Sequence, residues 1–366
     1  MRPASRAGSL ILIYRRMPEP RLCLVLPHVL LGGGETAMME IAEGLRRELA
    51  LDVCALDNAA TGGAPTVREE LVERFGRVTF VRERWQLRPL LAAADVVLWY
   101  GVINSVPAAL AALAACGSRP GSIRVVHTDR PEDGPGFARR WRRVLDAVVC
   151  VSPAVARRIA GATFIPNTCS LARLRGARQE LFPGAAGRRT LGWAGRLVPL
   201  KNVAWLIDSL EALDCNLALQ ALDSPLLTAA ELARQAASRG LGGRVRFLPP
   251  GRDLGTLLRS VDALVLASQH EGFPMVVVEA GLLGVPVIAT RVGALPELFA
   301  EEVLFLDGAG EVPEVASLRR ALAAAGPAWG DRLRARVAAL CVPDAVVGSY
   351  LQVIARVHRN RRRHAA

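Results

Sequence analysis

Strand-length runs of unbroken apolar residues, each followed by a segment with helical spacing, recur along this chain in two successive sets. A strand that is apolar on both faces must be covered on both faces. That requirement points to parallel sheets held between layers of helices. The first run is Leu22–Pro27 (LCLVLP). A glycine loop at Leu31–Gly34 follows, then helical spacing over Thr36–Leu49 at Met38, Ile41, Ala42, Leu45 and Leu49, then a second run at Leu51–Leu56. This reads as a βαβ unit with a glycine-rich turn before its helix. Further strands are predicted at Arg77–Val81, Asp95–Tyr100, Ile123–His127, Ala147–Val151 and Thr163–Ile165, with helices over Ser105–Ala115 and from Pro153.

Residues 170–189 break the pattern; they are rich in Arg, Gly and Ala and contain Pro183. They read as a crossing between two domains. A second alternation begins at Thr190. Its strands are predicted at Leu191–Ala194, Leu217–Leu222, Val245–Leu248, Ala263–Ala267, Val287–Thr290 and Val303–Leu306. Its helices are predicted at Val203–Leu210, Glu231–Arg239, Leu254–Ser260 and Pro274–Leu283. A chain of 366 residues with 51% hydrophobic side chains has the length and apolar content for two cores. The expected organisation is a disordered leader over 1–20, a Rossmann-like domain over 21–170, a crossing over 171–189 and a second Rossmann-like domain over 190–340. A C-terminal helix with a basic tail, 341–366, is expected to return to the first domain.

The formal charge is +12, and all but one of the 46 basic side chains are arginine. Codon bias accounts for the arginine excess, but it singles out Lys201, a compact ammonium in a chain that otherwise uses planar forks. Basic character fits nucleic acid, an anionic membrane or phosphorylated substrates. No nucleic-acid recognition module is present. The seven cysteines are scattered and form no C-x-x-C pair, which reads as reduced core thiols in a cytoplasmic protein. No span is read as reaching the roughly 18–20 apolar residues of a membrane-crossing helix.

Two segments carry chemistry. In Ser268–Glu297 (SQHEGFPMVVVEAGLLGVPVIATRVGALPE), a strand runs into a polar loop holding Glu271 and Gly272, and Pro274 then opens a helix. Amides around Phe273, Pro274, Met275 and Val276 would face the crevice at the strands' carboxyl ends, where a helix N-terminus attracts phosphate. Glu279 falls among apolar neighbours on that helix and needs a partner. A ribose diol or a nearby arginine would serve. In Leu191–Asn202 (LGWAGRLVPLKN), a strand ends at Gly195–Arg196 and Lys201 opens the next helix. Two cations beside a helix N-terminus make a diphosphate site, with two solvated surface cations as the alternative, and stabilising a departing diphosphate is electrostatic catalysis.

Together these segments resemble the family-4 retaining glycosyltransferases. The resemblance rests on Gly195-Arg196-Leu197 with Lys201, on Glu271-Gly272-Phe273-Pro274 with Glu279, and on Pro286–Thr290 with Pro296-Glu297. It also rests on Gly33, Gly34 and Glu35, on His127, on Val151–Val155 and on Pro166-Asn167. It covers about residues 22–355. It implies a GT-B fold, an α/β architecture of two Rossmann-like parallel-sheet domains facing across a cleft, with an N-terminal acceptor domain and a C-terminal donor domain. It implies transfer of a hexose from a UDP- or GDP-linked sugar with retention of configuration. By the same resemblance, Arg196 and Lys201 bind the diphosphate, Glu279 the ribose and Glu271 the transferred sugar. His127 lies on the donor-sugar side, Gly33 and Gly34 let the backbone approach the ligand, and Glu297 is structural. Phe247-Leu248-Pro249-Pro250 departs from the family's Phe-Leu-Gly beside the base, so the base is left unassigned.

No D-x-D and no H-x-x-H occurs, so no metal and no cofactor is expected. A nucleotide-sugar 2-epimerase and a non-catalytic sugar-nucleotide-binding protein share the architecture and are the alternative readings. The Arg139–Arg143 cluster and the Arg356–Arg363 tail point to an anionic membrane surface at the cytoplasmic face, with an unknown acceptor that is lipid-linked or part of an envelope polysaccharide.

Overall fold

The computed structural model describes residues 20–57, 66–101, 104–117, 119–127, 135–185, 187–251, 253–308 and 312–365. The predicted leader, apart from Pro20, lies outside them.

Among the described residues, thirteen strands form two sheets, and the strands within each sheet pair in parallel. The first sheet holds β1 (Leu22–Leu26), β2 (Leu51–Leu56), β3 (Val78–Val81), β4 (Val96–Tyr100), β5 (Gly121–Val126), β6 (Ala147–Cys150) and β7 (Thr163–Phe164), in the order β3-β2-β1-β4-β5-β6-β7. The second holds β8 (Arg189–Arg196), β9 (Cys215–Leu222), β10 (Val245–Leu248), β11 (Ala263–Leu266), β12 (Val287–Ala289) and β13 (Leu304–Phe305), in the order β10-β9-β8-β11-β12-β13. Each sheet reverses its strand order beside its first strand, at β1/β4 and at β8/β11. Ligands bind at such switch points in open α/β sheets.

The continuous apolar runs are explained by burial on both faces. Along β1, Leu22, Leu24 and Leu26 enter one apolar cluster, while Cys23 and Val25 enter another on the opposite face. The first of these clusters continues across the domains through Met275, Val277 and Val278 of the helix Met275–Leu283.

Several boundaries differ from expectation. The helix predicted from Thr36 begins at Gly33, so two of the loop glycines form its first turn. Pro274 sits just before its helix rather than in the first turn. Helices at Arg68–Phe75 and Leu87–Ala92 had no prediction. The first, REELVERF, buries only Glu70 and Leu71, too few apolar positions to show a period. The capping box of Thr228 and Glu231 starts the helix Ala229–Ser238 two residues earlier than predicted. Six cysteines are buried, but Cys116 is exposed just after the helix Ser105–Ala115.

The expectation that no span is long and apolar enough to cross a membrane is also corrected. The helical stretch Pro327–Arg363 meets that measure by length and composition. It is interrupted between Leu340 and Pro343, and its apolar side chains Val337, Val346, Tyr350, Val353, Ile354 and Val357 are buried in the protein core. Its second helix, Pro343–Ala365, packs on β4, β5 and the helix Gly33–Leu45 of the first domain.

Candidate active site

The carboxyl ends of both sheets open into one cleft of about 890 Å³. Every residue singled out from the sequence as a site candidate lines it: Gly33, Gly34, Glu35 and His127 from the first domain, and Arg196, Lys201, Glu271, Gly272, Phe273, Pro274, Met275, Val276 and Glu279 from the second. Two helix N-termini contribute residues to this cleft, those of Gly33–Leu45 and Met275–Leu283, and no side chain caps either one. First-turn amides have no intrahelical acceptor, so both ends carry donors and a positive dipole. The first has Glu35 in its first turn, and the second has no acidic residue there and is open to an anion.

Lys201 is placed by an unusual backbone. Asn202, between Lys201 and the following helix, takes a left-handed conformation (φ 53°), which Asn tolerates better than most residues. Asn202 Nδ2 donates to the Ala267 carbonyl (2.9 Å), and the Gln269 amide donates to the Leu200 carbonyl (2.8 Å). The Lys201 loop is thereby tied to the loop after β11, and Lys201 Nζ pairs with Glu271 Oε1. Gly293 fixes the other side of that loop. At φ 57°, a Cβ on Gly293 would stand 2.4 Å from the Gly272 carbonyl oxygen, so only glycine fits the turn.

Arg196 ends β8 and reaches the opposite domain, where its Nη2 donates to the Leu31 carbonyl (3.0 Å). Glu279 is 4% exposed. Burial raises its pKa to about 7, against the pull of Arg173 and with further upward pushes from Glu40 and Asp253. A carboxyl poised near neutrality in a cleft is a mark of a functional position. His127 follows β5, and its ring meets that of Tyr100 edge-on with centroids 5.1 Å apart. Burial lowers its pKa to about 4, which keeps the imidazole neutral. Glu297 lies outside the cleft lining and receives a two-pronged ion pair from Arg157 of the first domain, at 2.9 and 3.0 Å.

Among the lining residues to which sequence reasoning gave no role are His28, Tyr100, Arg173 and Gln220. Tyr100 donates to Glu35, and His28 Nδ1 lies 3.1 Å from the same carboxylate. Gln220 donates to the carbonyls of Gly251, which lines the same cleft, and Asp253. Among the described residues, no group of three or more His, Cys, Asp or Glu side chains is placed to hold a metal ion.

Comparison with known proteins agrees with this architecture. Residues 31–170 match the model of Glycosyltransferase Family 4, and residues 188–324 match that of Glycosyl transferases group 1. Among curated relatives, D-inositol 3-phosphate glycosyltransferase of Saccharomonospora viridis is 32% identical over 192 residues, covering 49% of this chain and 42% of the relative. The Salinispora tropica enzyme of the same name is 41% identical over 99 residues, covering 26% and 20%. The chain thus spans less than half the length of these relatives. Among solved structures, Anabaena HepE in complex with UDP-glucose superposes with a TM-score of 0.73 at 20% identity, over 92% of this chain and 100% of that one. Sucrose-phosphate synthase of Thermosynechococcus elongatus gives 0.70 at 19% identity, over 93% and 100%. At such identities the likeness is one of fold. With its two facing parallel-sheet domains the fold is GT-B, and the chain belongs to the family-4, group 1 glycosyltransferases.

Proposed function

We propose that this chain transfers a hexose from a UDP- or GDP-linked sugar to an acceptor hydroxyl, with retention of configuration and without a metal. The observation that carries the reading is the convergence of Arg196, Lys201, Glu271 and Glu279 on one cleft beside the uncapped N-terminus of Met275–Leu283. The diphosphate lies against Arg196, Lys201 and the first-turn amides. Glu279 accepts hydrogen bonds from the ribose diol, and Glu271 contacts the sugar hydroxyls. Neutral His127 faces the sugar from the first domain. Anabaena HepE, of the same fold, was solved with UDP-glucose and with UDP, which supports a nucleotide-sugar donor.

In the reaction the bond from C1 to the diphosphate oxygen breaks, and the electron pair stays on that oxygen. The acceptor oxygen bonds to C1 from the same face, and its proton passes to the departing diphosphate. Two cations and a helix dipole neutralise the leaving charge, the task a metal performs elsewhere. Nucleotide release from UDP- or GDP-sugars is therefore expected to persist in EDTA. Loss in EDTA with rescue by Mg²⁺ or Mn²⁺ contradicts that part of the reading.

The acceptor in this reading is lipid-linked or part of an envelope glycan, reached from the cytoplasmic membrane face. Support comes from the two basic runs. Arg139, Arg140, Arg142 and Arg143 are exposed, as are Arg359, Arg362 and Arg363. Arg361 donates to the Arg119 carbonyl (3.0 Å) and Arg119 to the Arg143 carbonyl (3.3 Å), so the two runs adjoin. Basic side chains near an anionic bilayer contribute about 1 kcal/mol each, screened within roughly 8–10 Å at ordinary salt. Sedimentation with anionic vesicles should occur at low salt, fall steeply as salt rises, and weaken when Arg359, Arg362 and Arg363 become serine. These three are exposed, whereas truncation after Ala355 would remove the buried Val357 and His358. A protein that ignores such vesicles at low salt has no membrane face, and a soluble acceptor then replaces the lipid-linked one.

A further inference from the structure

Across the cleft from the donor residues, two side chains of the first domain converge on the carboxylate of a third. Glu35 lies in the first turn of Gly33–Leu45 and is 4% exposed. It accepts from the Tyr100 hydroxyl at the end of β4, and His28 Nδ1, just beyond β1, lies 3.1 Å from its Oε1. At this approach His28 Nδ1 is buried but makes no hydrogen bond, because it is not aligned with the carboxylate. Unliganded sites often show such loose contacts that tighten with substrate. The His28 side chain is nevertheless 34% exposed and lines the cleft. Its buried nitrogen therefore faces the carboxylate, while the rest of the ring faces the ligand space.

We propose that His28, Glu35 and Tyr100 form the subsite that receives the acceptor's attacking hydroxyl, with His28 Nε2 accepting its hydrogen bond as it docks, before that same proton turns to the departing diphosphate, and with Glu35 facing the ring at Nδ1. This rests on the donor reading given above. A carboxylate facing Nδ1 keeps the ring proton there, which leaves Nε2 as an acceptor. Three observations support the assignment. The subsite adjoins the diphosphate cation: a Cβ on Gly32 would stand 2.6 Å from Glu35 Oε2 and 3.4 Å from Arg196 Nη2. Glu35 already supplies the negative charge that its helix N-terminus favours. The group received there is thus a neutral sugar or polyol hydroxyl rather than a phosphate. Finally, Gly34 lets the turn close on Tyr100, since a Cβ there would meet the ring at 3.2 Å. Tyr100 positions Glu35, and Glu35 positions His28.

The test is nucleotide release from UDP-glucose and, in turn, from GDP-mannose, with water alone and with added glycerol as the hydroxyl acceptor. His28→Ala is expected to lower release about tenfold while leaving the Kd for UDP or GDP and the Tm unchanged. His28→Gln, whose amide oxygen can accept, is expected to recover part of the loss. Glu35→Gln is expected to raise KM for glycerol more than it lowers nucleotide affinity. The inference is overturned if His28→Ala releases nucleotide as the wild type does. It is equally overturned if activity, nucleotide affinity and Tm fall together, as they do when a merely structural tie is cut. A wild type that neither binds nucleotide nor releases it from either donor overturns the donor assignment, before any variant is made, and this subsite with it.

Discussion

Lys201→Ala should lower sugar transfer by about ten- to a hundredfold, the cost of one charge-assisted hydrogen bond to phosphate, roughly 1.5–3 kcal/mol. The variant also leaves Glu271 without its cation. The two side chains are 21% and 12% exposed, so the pair is largely but not fully withdrawn from water. Removing one member of a fully buried pair costs about 3–5 kcal/mol, and partial exposure reduces this to about 1–2 kcal/mol, visible as a lower Tm. The double variant Lys201→Ala with Glu271→Gln separates the two effects. It should regain Tm, because no unpaired carboxylate remains, and should not regain turnover. Lys201→Arg should also impair transfer, because the loop held by Asn202 and Gln269 presents a point charge where a planar fork would have to fit. Unchanged steady-state kinetics in Lys201→Ala would remove Lys201 from the donor site.

The second large effect belongs to Glu279. Its folded pKa of about 7 lies above the ordinary 4.5, with burial as the main cause. Between those two values the native protein keeps a proton that the unfolded chain has released. Stability is therefore lost as pH rises through that window, by at most about 3 kcal/mol. Glu279→Gln cannot ionise, so its urea midpoint should fall less between pH 5 and pH 8 than that of the wild type. Nucleotide binding runs the other way. A ribose diol donates to the ionised carboxylate, so affinity should rise with pH through about 7 and should not do so in the variant. The nucleotide's own protonation is common to both proteins and cancels in the comparison.

The strands were legible because burial on both faces leaves continuous apolar runs, as in β1 and β4. The cleft-lining residues of the second domain were legible because they cluster in two short motifs at strand ends. Their mutual pairing was not. Lys201 meets Glu271 because β8 lies beside β11, a neighbour relation set by the sheet and not by local sequence. His28 and Tyr100 were missed for the same reason. Each is a single residue beside a strand end, and only the pairing of β1 with β4 brings them to one carboxylate. The first turn at Gly33 was hidden by glycine's poor helix propensity. At Gly34 a Cβ would stand 3.2 Å from the Tyr100 ring, so the close approach of this turn favours glycine there. The membrane measure met by Pro327–Arg363 shows the converse, since a helix pair that lays one apolar face into the protein core can have the composition of a spanning segment.

Calorimetric titration of UDP and of GDP into the wild type and into Glu279→Gln, at pH 6 and pH 8, tests the central claim most directly. Losing hydrogen bonds to a charged acceptor costs roughly 1.5–3 kcal/mol. The wild type should bind one of the two nucleotides. At pH 8 the variant should bind it about ten- to a hundredfold more weakly, and the gap should narrow at pH 6 as Glu279 takes up its proton. A wild type that binds neither nucleotide, or a variant that binds as tightly as the wild type at pH 8, would contradict the assignment of this cleft to a nucleotide-sugar donor held through Glu279.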